Sequence, residues 1–262
     1  ADEISAIDRF RMMMLGVMDE HAVPRPGQPD APAQAEVAAG KTPPAVVEVE
    51  LPPERSIEEL LAELDALVGL DHVKAEVRRL TSLLRVQELR AERDLPVIET
   101  SKHLVFTGNP GTGKTTVARL LSQIFRALGI VSKGHLVETD RSGLVAGFVG
   151  QTASTTKQVM ESALGGTLLI DEAYALARGG ENDFGLEAVD TIVKFMEDHR
   201  DDLSVIAAGY PAEMSELIDT NPGLKSRFTR TVEFPDYDTE ELIAIFGLIS
   251  GSKEYLLDAG GK

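Results

Sequence analysis

Short runs of apolar residues alternate with amphipathic stretches from residue 103 to residue 234. Each run has the length of a β-strand, and helical patterns separate most of the runs. Because strands that alternate with helices form parallel sheets covered on both faces, the predicted fold class is α/β, with a five-stranded parallel sheet flanked by helices. The five predicted strands are His103–Thr107, His135–Thr139, Thr167–Ile170, Leu203–Ala208 and Thr231–Phe234.

Two helices are predicted ahead of the first strand. Ser56 and Glu59 match a capping box, which predicts that the first helix begins at this point. Gly69 breaks the first helix, Asp71 is placed to cap the second, and Pro96 stops the second. The predicted apolar positions are Ile57, Leu60, Leu61 and Leu64 in the first helix and Val73, Val77, Leu80, Leu84 and Leu89 in the second.

The two ends of the chain differ from this central region. Residues 1–21 carry apolar residues at helical spacing and are predicted to form an amphipathic helix, which either packs on a domain or docks a partner. Residues 22–55 are rich in Pro and Ala and are predicted to be a linker, since they bury too little apolar surface to offset the entropy of ordering. The remaining predicted domains are a core over residues 56–238 and the start of a helical segment over residues 239–262.

Composition narrows the classes of function. The 262-residue chain has a formal net charge of −17, which disfavours nucleic acid as a partner because duplex binding needs a positive surface. No apolar run approaches ~18 residues and no secretory signal is visible, so we expect no membrane span and a cytoplasmic location. Cys is absent and the five His residues lack metal-ligand spacing, so neither thiolate chemistry nor a histidine-built zinc site is expected.

Residues 108–115, GNPGTGKT, match the phosphate-binding pattern G-x-x-x-x-G-K-[ST] between a predicted strand and a predicted helix. Glycines let successive backbone N–H groups point at an anion, and the helix N-terminus adds partial positive charge. Lys114 is predicted to reach the β- and γ-phosphates of ATP, and the Thr115 hydroxyl to ligate Mg²⁺. A chance Gly-rich turn is the alternative. The predicted nucleotide contacts are Asn109, Pro110, Gly111, Thr112, Gly113, Lys114, Thr115 and Thr116.

An acidic pair follows the third predicted strand. The string LLIDE places Asp171 and Glu172 at the carboxyl end of a buried strand, which is the edge of a parallel sheet where ligands bind. Asp171 is predicted to hold Mg²⁺, and Glu172 to orient or deprotonate the attacking water. The alternative is an Asp-Glu pair that merely favours a helix N-terminus. Because the pair follows a phosphate loop, ATP hydrolysis is the favoured interpretation.

Together these motifs resemble the AAA+ ATPases, and the match runs from Leu60 to Phe246. Within that superfamily the chain is similar to the CbbX/SpoVK/EccA group, which includes red-type Rubisco activases and the ATPase of type VII secretion. The resemblance implies a homo-oligomeric ring, expected to be a hexamer, that remodels or translocates a protein substrate, and a helical lid that is truncated here. The strings that carry the resemblance are VGLDHVK, FTGNPGTGKTT, GHLVETDRSGLVAGFVGQTA, GGTLLIDEAYAL, DDLSVIAAGY, NPGLKSRF and VEFPDYDTEEL.

The resemblance also implies roles for residues outside the two nucleotide motifs. Val68, Gly69 and Leu70 fall where the family places backbone against the adenine. Arg227 matches the arginine finger, which completes a neighbouring subunit's site, and Arg230 is a second candidate for the same interface. For either arginine, a solvated loop charge is the alternative.

The stretch AGFVGQTA places Phe148 and Val149 between two glycines, an unusual pattern for a core segment. The resemblance implies that this loop faces the central channel, where the two apolar side chains grip a threaded substrate. The alternative is that Phe148 packs back on its own domain. At the end of the fourth strand, Tyr210 stands where many AAA+ proteins have a polar sensor, often Asn.

The same motifs also occur in proteins of two other functional classes. A small-molecule kinase built on a phosphate loop is disfavoured by the five strands, by the arginine of SRF and by the Gly-aromatic loop. A nucleotide-gated scaffold or assembly factor, which binds ATP with little turnover, is disfavoured by Glu172.

Overall fold

The computed structural model describes residues 51–97, 101–148, 150–178 and 183–252. The predicted N-terminal helix, most of the predicted linker, Val149 and the end of the predicted lid segment lie outside the described residues. Within the described ranges, no helix combines the length and the apolar character needed to cross a membrane.

Five parallel strands form one sheet, as the apolar runs predict. Each predicted run agrees with the observed strand to within one residue at either end. The strand order is β2-β3-β4-β1-β5, so β4 lies between β1 and β3. The strands are β1 (Leu104–Thr107), β2 (Leu136–Thr139), β3 (Thr167–Ile170), β4 (Ser204–Gly209) and β5 (Thr231–Glu233).

The sheet divides the core into two halves because successive side chains of a strand point to opposite faces. In β1, Phe106 packs into one half and Val105 into the other. The same alternation places Leu169 of β3 in the first half and Leu168 in the second. With both faces covered, a polar position in a central strand would be buried, which explains why these strands read as unbroken apolar runs.

Helices supply the outer layers of both halves. The elements α1 (Ile57–Ala66), α2 (Asp71–Ala91) and α3 (Lys114–Ala127) pack on the first face of the sheet. The opposite face is covered by α4 (Arg141–Leu144), α5 (Thr152–Ser162), a 3₁₀ helix (Ala173–Ala177), α6 (Gly185–Asp198), α7 (Pro211–Thr220) and α8 (Pro222–Arg227). A last helix, α9 (Thr239–Ser252), follows β5.

The capping box of α1 is confirmed. The backbone N–H of Glu59 donates to the Ser56 hydroxyl at 3.2 Å, and the backbone N–H of Ser56 donates to the Glu59 carboxylate at 2.9 Å. Each bond satisfies an amide that the helix itself leaves without a partner.

The predicted start and stop of α2 are wrong in detail. Leu70, in the left-handed conformation with φ 58°, is the N-cap, and Asp71 is the first helical residue and makes no capping bond. Burial explains this choice, since Leu70 is 4% exposed and contributes to the first half of the core. The helix ends at Ala91, before Pro96, and Leu89 is partly exposed rather than part of the buried stripe.

His103 lies just before β1, at the amino edge of the sheet. Its Nδ1 accepts the backbone N–H of Val205 at 3.1 Å, and its ring meets the edge of Phe228. Burial lowers the pKa of His103 to about 3, and the positive charges of Lys102 and Arg227 act in the same direction. A proton on Nδ1 would also break the bond to Val205, so the fold requires the neutral ring.

We therefore predict that acid destabilises the protein through this residue. The unfolded chain takes up a proton below the ordinary histidine pKa of 6.5, whereas the folded chain does not until about pH 3. Stability is thus lost as the pH falls below about 6.5, by roughly 2 kcal/mol at pH 5. His103→Asn keeps an acceptor near the Nδ1 position and cannot titrate, so its urea midpoint should change less between pH 7.5 and pH 5.

His72, which is exposed, provides the control. His72→Asn should keep the pH dependence of the unaltered protein. An equal pH dependence in His103→Asn and the unaltered protein would show that His103 is not the group responsible.

Candidate functional site

The carboxyl ends of β1, β4 and β3 meet at one edge of the sheet. The chain leaves β1 into the phosphate loop, β4 into Tyr210 and β3 into Asp171. Backbone bonds fix these exits, since the Gly108 N–H donates to the Gly209 carbonyl at 3.1 Å and the Asp171 N–H to the Thr139 carbonyl at 2.8 Å. The phosphate loop and the acidic pair therefore lie on the same edge, with Tyr210 leaving from the strand between them.

Two glycines of the phosphate loop meet constraints that other residues would not. A Cβ at Gly108 would lie 2.3 Å from the carbonyl oxygen of Phe234, so only glycine allows the loop this close to the chain after β5. Gly113 caps α3 with φ 92°, in the left-handed region that favours glycine. The Thr112 hydroxyl donates to the Asn109 carbonyl at 2.8 Å and closes the loop on itself.

Lys114 is the first residue of α3 and points back over the loop. Its Nζ donates to the carbonyl oxygens of Gly108 at 2.9 Å and Asn109 at 2.8 Å. Burial lowers the pKa of Lys114, and the negative charges of Asp171 and Glu172 oppose that effect. The lysine and the two carboxylates thus act on one another, although 57 positions separate Lys114 from Asp171.

The start of α3 fits a bound phosphate. Among the described residues, no side chain caps this helix at Gly113, so its first amides and its partial positive charge are left for an anion. The predicted Mg²⁺ ligands also fit, since Thr115 is the second residue of α3 and the Asp171 carboxylate is exposed at the same edge. No group of three His, Cys, Asp or Glu residues that could hold a metal occurs in the described ranges.

Glu172 occupies a strained backbone conformation. Its φ of 47° and ψ of 41° lie in the left-handed region, which costs a residue with a side chain about 1 kcal/mol or more. The strained residue precedes the 3₁₀ helix, and its carboxylate is exposed. Strain of this kind is typical of functional positions, and the conformation agrees with the predicted role.

Tyr174 was not assigned a role from the sequence, yet it lies beside Glu172. Burial raises the pKa of Tyr174, and the nearby Glu172 carboxylate raises it further. The Arg178 guanidinium lies 4.3 Å from the centre of the Tyr174 ring and pairs with Glu213 at 3.2 Å. The Tyr210 ring lies 6.0 Å from that of Tyr174. The acidic pair is therefore bordered by an aromatic and ionic cluster of Tyr174, Tyr210, Arg178 and Glu213. No short motif in the sequence indicates that these side chains meet.

The segment predicted to contact the adenine lies beside the phosphate loop. A Cβ at Gly113 would lie 3.4 Å from a methyl group of Leu70, so the Leu70 side chain covers the start of α3. The Glu241 carboxylate packs against Gly69. A Cβ added at Gly69 would lie 2.1 Å from a carboxylate oxygen of Glu241. Val68 is half-buried in the same turn. The structure thus brings together motifs that are far apart in sequence.

Two further contacts of the phosphate loop come from the segment between β5 and α9. The Asn109 amide donates to both carboxylate oxygens of Asp236 at 2.8 Å. The Tyr237 hydroxyl donates to the Thr112 carbonyl at 3.3 Å. The sequence does not identify either residue as part of the site, because each reaches the phosphate loop across more than ~120 positions and belongs to no short nucleotide motif.

The remaining predicted residues of the loop follow this geometry. Asn109, Pro110, Gly111 and Thr116 are exposed at the mouth of the site, whereas Thr112 is buried beneath it.

Arg227 lies at the opposite edge of the sheet from the phosphate loop. It ends α8, and its carbonyl accepts the Ser101 hydroxyl just ahead of β1. The strand between His103 and Gly108 spans about 16 Å at ~3.3 Å per residue, so a single side chain cannot bridge the two edges. Arg230 lies nearby, and its carbonyl accepts the Val105 N–H at 2.9 Å.

Phe148 is 72% exposed. This disagrees with the alternative in which Phe148 packs back on its own domain. A Cβ on either flanking glycine, Gly147 or Gly150, would meet no atom within 4 Å, so the loop tip stands clear of the described residues. The loop is anchored at its base, where the Thr152 hydroxyl accepts the Ala146 N–H at 3.2 Å.

Comparison with known proteins agrees with this geometry. The family model for the ATPase family associated with various cellular activities (AAA) matches residues 104–236. A solved structure, the crystal structure of the FIGL-1 AAA domain in complex with ADP, aligns with a TM-score of 0.55 over 79% of this chain and 64% of that chain. At 17% identity this likeness supports the fold alone.

Three curated relatives are more similar in sequence. Stage V sporulation protein K of Bacillus subtilis is 45% identical over 201 residues, which are 77% of this chain and 62% of that protein. Protein CbxX, plasmid, of Cupriavidus necator is 48% identical over 77% of this chain and 64% of that protein. ESX-3 secretion system protein EccA3 of Mycobacterium tuberculosis is 46% identical over 70% of this chain and 29% of that protein.

The chain spans less than two thirds of the length of each of these three relatives. The region matched by the family model nevertheless contains all five strands, the phosphate loop and the acidic pair. The chain therefore belongs to the AAA family of ATPases.

Proposed function

We propose that the protein hydrolyses ATP as a homo-oligomeric AAA+ ring, expected to be a hexamer, and uses that energy to remodel or translocate a protein substrate. The proposal rests on one observation: the groups expected to act in hydrolysis lie at two opposite edges of the sheet of one subunit. The phosphate loop and the acidic pair meet at the carboxyl edge of the sheet, whereas Arg227 lies at the amino edge.

The residues of the carboxyl edge account for binding and hydrolysis. When bound, ATP with Mg²⁺ supplies a phosphoryl group that water can attack, with its charge partly neutralised. The first amides of α3 bind phosphate oxygens, and Lys114 exchanges its two carbonyl acceptors for them. Thr115 and Asp171 would hold the Mg²⁺ ion, which would neutralise part of the phosphate charge. The exposed Glu172 carboxylate orients the attacking water and accepts its proton.

The arginine of the amino edge supports a ring. Because Arg227 cannot reach the phosphate loop of its own subunit, a role in hydrolysis requires the site of a neighbour. Head-to-tail contacts between identical subunits form a ring when the rotation between neighbours closes, and every site of such a ring then meets one neighbour's arginine. A guanidinium at the γ-phosphate accelerates hydrolysis in other nucleotide hydrolases by about 10³-fold or more.

The exposed loop around Phe148 supports a protein substrate. An aromatic side chain that is 72% exposed between two glycines has no packing role among the described residues. An exposed aromatic group offers a large apolar surface that grips many chain segments without reading their sequence. The loop follows β2 and α4, and the Arg141 guanidinium of α4 bonds the Ala175 carbonyl of the 3₁₀ helix after Glu172 at 2.7 Å. This bond joins the segment that follows Glu172 to the helix that leads into the loop.

The biological setting is proposed from the relatives. One relative, ESX-3 secretion system protein EccA3, is named for a secretion system. The sequence motifs also resemble those of red-type Rubisco activases. We propose a chaperone ATPase of one of these two kinds. The absence of Cys agrees with action in the reducing cytosol.

The first prediction tests hydrolysis across a subunit interface. Glu172→Gln removes the base but keeps ATP binding, and Arg227→Ala removes the group supplied to a neighbour, so each variant should lose about 100-fold or more in phosphate release. An equal mixture should recover roughly a quarter of the unaltered rate, because random assembly pairs an intact Glu172 with a neighbour's Arg227 at about one site in four.

Two exposed residues give matched controls for this mixture: Glu216→Gln and Lys225→Gln should retain activity. A mixture as inactive as its parts would contradict action in trans. Unchanged phosphate release by Glu172→Gln would contradict the role of that carboxylate. An unaltered protein that binds ATP without releasing phosphate would identify a nucleotide-gated scaffold.

The second prediction tests the exposed loop. With casein as a model unfolded chain, the ATPase rate of the unaltered protein should rise, and Phe148→Ala should keep the basal rate but lose that rise. Val86→Ala, which truncates a 50% exposed apolar residue of α2, is the control and should respond like the unaltered protein. A lowered melting temperature together with lost basal turnover in Phe148→Ala would instead identify Phe148 as a packing residue.

A further inference from the structure

The Arg227 side chain does not extend toward solvent. Its Nη1 donates to the Gly223 carbonyl at 3.1 Å, one turn earlier in α8, and contacts the Ser226 hydroxyl at 3.4 Å. Its Nη2 donates to the Glu197 carboxylate at 2.6 Å. The side chain is 22% exposed. Both outer nitrogens of the guanidinium are therefore occupied within the subunit.

The position of Glu197 in its helix favours cationic neighbours. It lies in the last turn of α6, where the partial negative charge of the helix disfavours a carboxylate. Its two oxygens are divided between two arginines, with Oε2 on Arg227 at 2.6 Å and Oε1 near Arg200 at 3.8 Å. Glu197 thus retains a cationic neighbour when Arg227 leaves.

The contacts that hold Arg227 are the ones a phosphate would need. A guanidinium donates to carboxylate and phosphate oxygens through the same N–H groups, so Glu197, which accepts from Nη2, and a γ-phosphate compete for that nitrogen. The Glu197 side chain is 56% exposed, and ion pairs this exposed contribute little to stability. A neighbour's triphosphate, with its larger charge, would displace such a partner readily.

The backbone of this region is held independently of the pair. The Ser101 hydroxyl bonds the Arg227 carbonyl, and the Asn221 side chain caps α8 by accepting from Gly223 at 2.7 Å. Phe228, the next residue along the chain, is buried in the core. Loss of the Glu197 carboxylate therefore leaves α8 in place, and the pair affects chiefly where the guanidinium points.

We propose that Glu197 is a positioning residue that holds the Arg227 guanidinium retracted within its own subunit until a neighbour's γ-phosphate replaces the carboxylate. This inference rests on the proposed role of Arg227 in a neighbouring site. It adds a second partner for the arginine, so that each subunit withholds its arginine from the neighbouring site until assembly and nucleotide binding occur together.

The test compares Glu197→Gln with the unaltered protein in steady-state phosphate release over a range of protein concentrations. Because an exposed pair is easily broken, the variant should be about two- to fivefold faster per subunit at low concentration. Its half-maximal activity should occur at a lower protein concentration, and the two proteins should converge at high concentration. Glu197→Ala, which also removes the charge, should behave alike.

Asp198→Asn makes the same charge change one position along α6 and should leave the concentration dependence unaltered. In an Arg227→Ala background, Glu197→Gln should change nothing, because Glu197 acts only through that arginine. Unchanged or lower activity of both Glu197 variants at low concentration, with melting temperatures retained, would overturn retraction by Glu197.

Failure of the proposed function has a different signature. If Arg227→Ala keeps the full ATPase rate, the arginine has no catalytic role, whatever the Glu197 variants do. If Arg227→Ala is inactive but the Glu197 variants match the unaltered protein, only the present inference fails.

Discussion

The aligned carboxyl ends of three parallel strands are the constraint on which the rest of the structure depends. In register, Thr107 of β1 pairs with Gly209 of β4, and Ile170 of β3 pairs with Ala207 of β4. The phosphate loop and the acidic pair therefore leave the sheet side by side. Neither motif could work if one strand slipped by one residue, because a slip would also turn that strand's side chains to the wrong face.

The two-sided core maintains that register. Phe106 and Leu169 anchor one face and Val105 and Leu168 the other, so a shifted strand would expose apolar side chains on both sides at once. The helix that begins at Lys114 belongs to the same core, which ties the position of this lysine beside the phosphate loop to ordinary packing. Packing also allows the strained conformation of Glu172 to persist, because the neighbouring strand and 3₁₀ helix are buried and hold its backbone in place.

Short-range patterns in the sequence predicted the strands, the phosphate loop and the acidic pair, because the local conformation of each depends mainly on residues close together in the chain. Strand order, the φ of Leu70 and the bonds from Asn109 to Asp236 depend on contacts between distant segments, and no local period encodes them. Asp71 shows the limit clearly. It is a good capping residue in a suitable position, but burial of the preceding leucine decided where the helix begins.

One strand, β1, connects the two ends of the proposed reaction. Its carboxyl end opens into the phosphate loop, and its amino end follows Ser101, which holds the backbone of Arg227. Because the strand is short and buried on both faces, it sets a fixed separation between the group that binds phosphate and the group offered to a neighbour. Under the proposed function, the subunit carries two complementary halves of a site at a fixed distance, and a second copy brings such halves together.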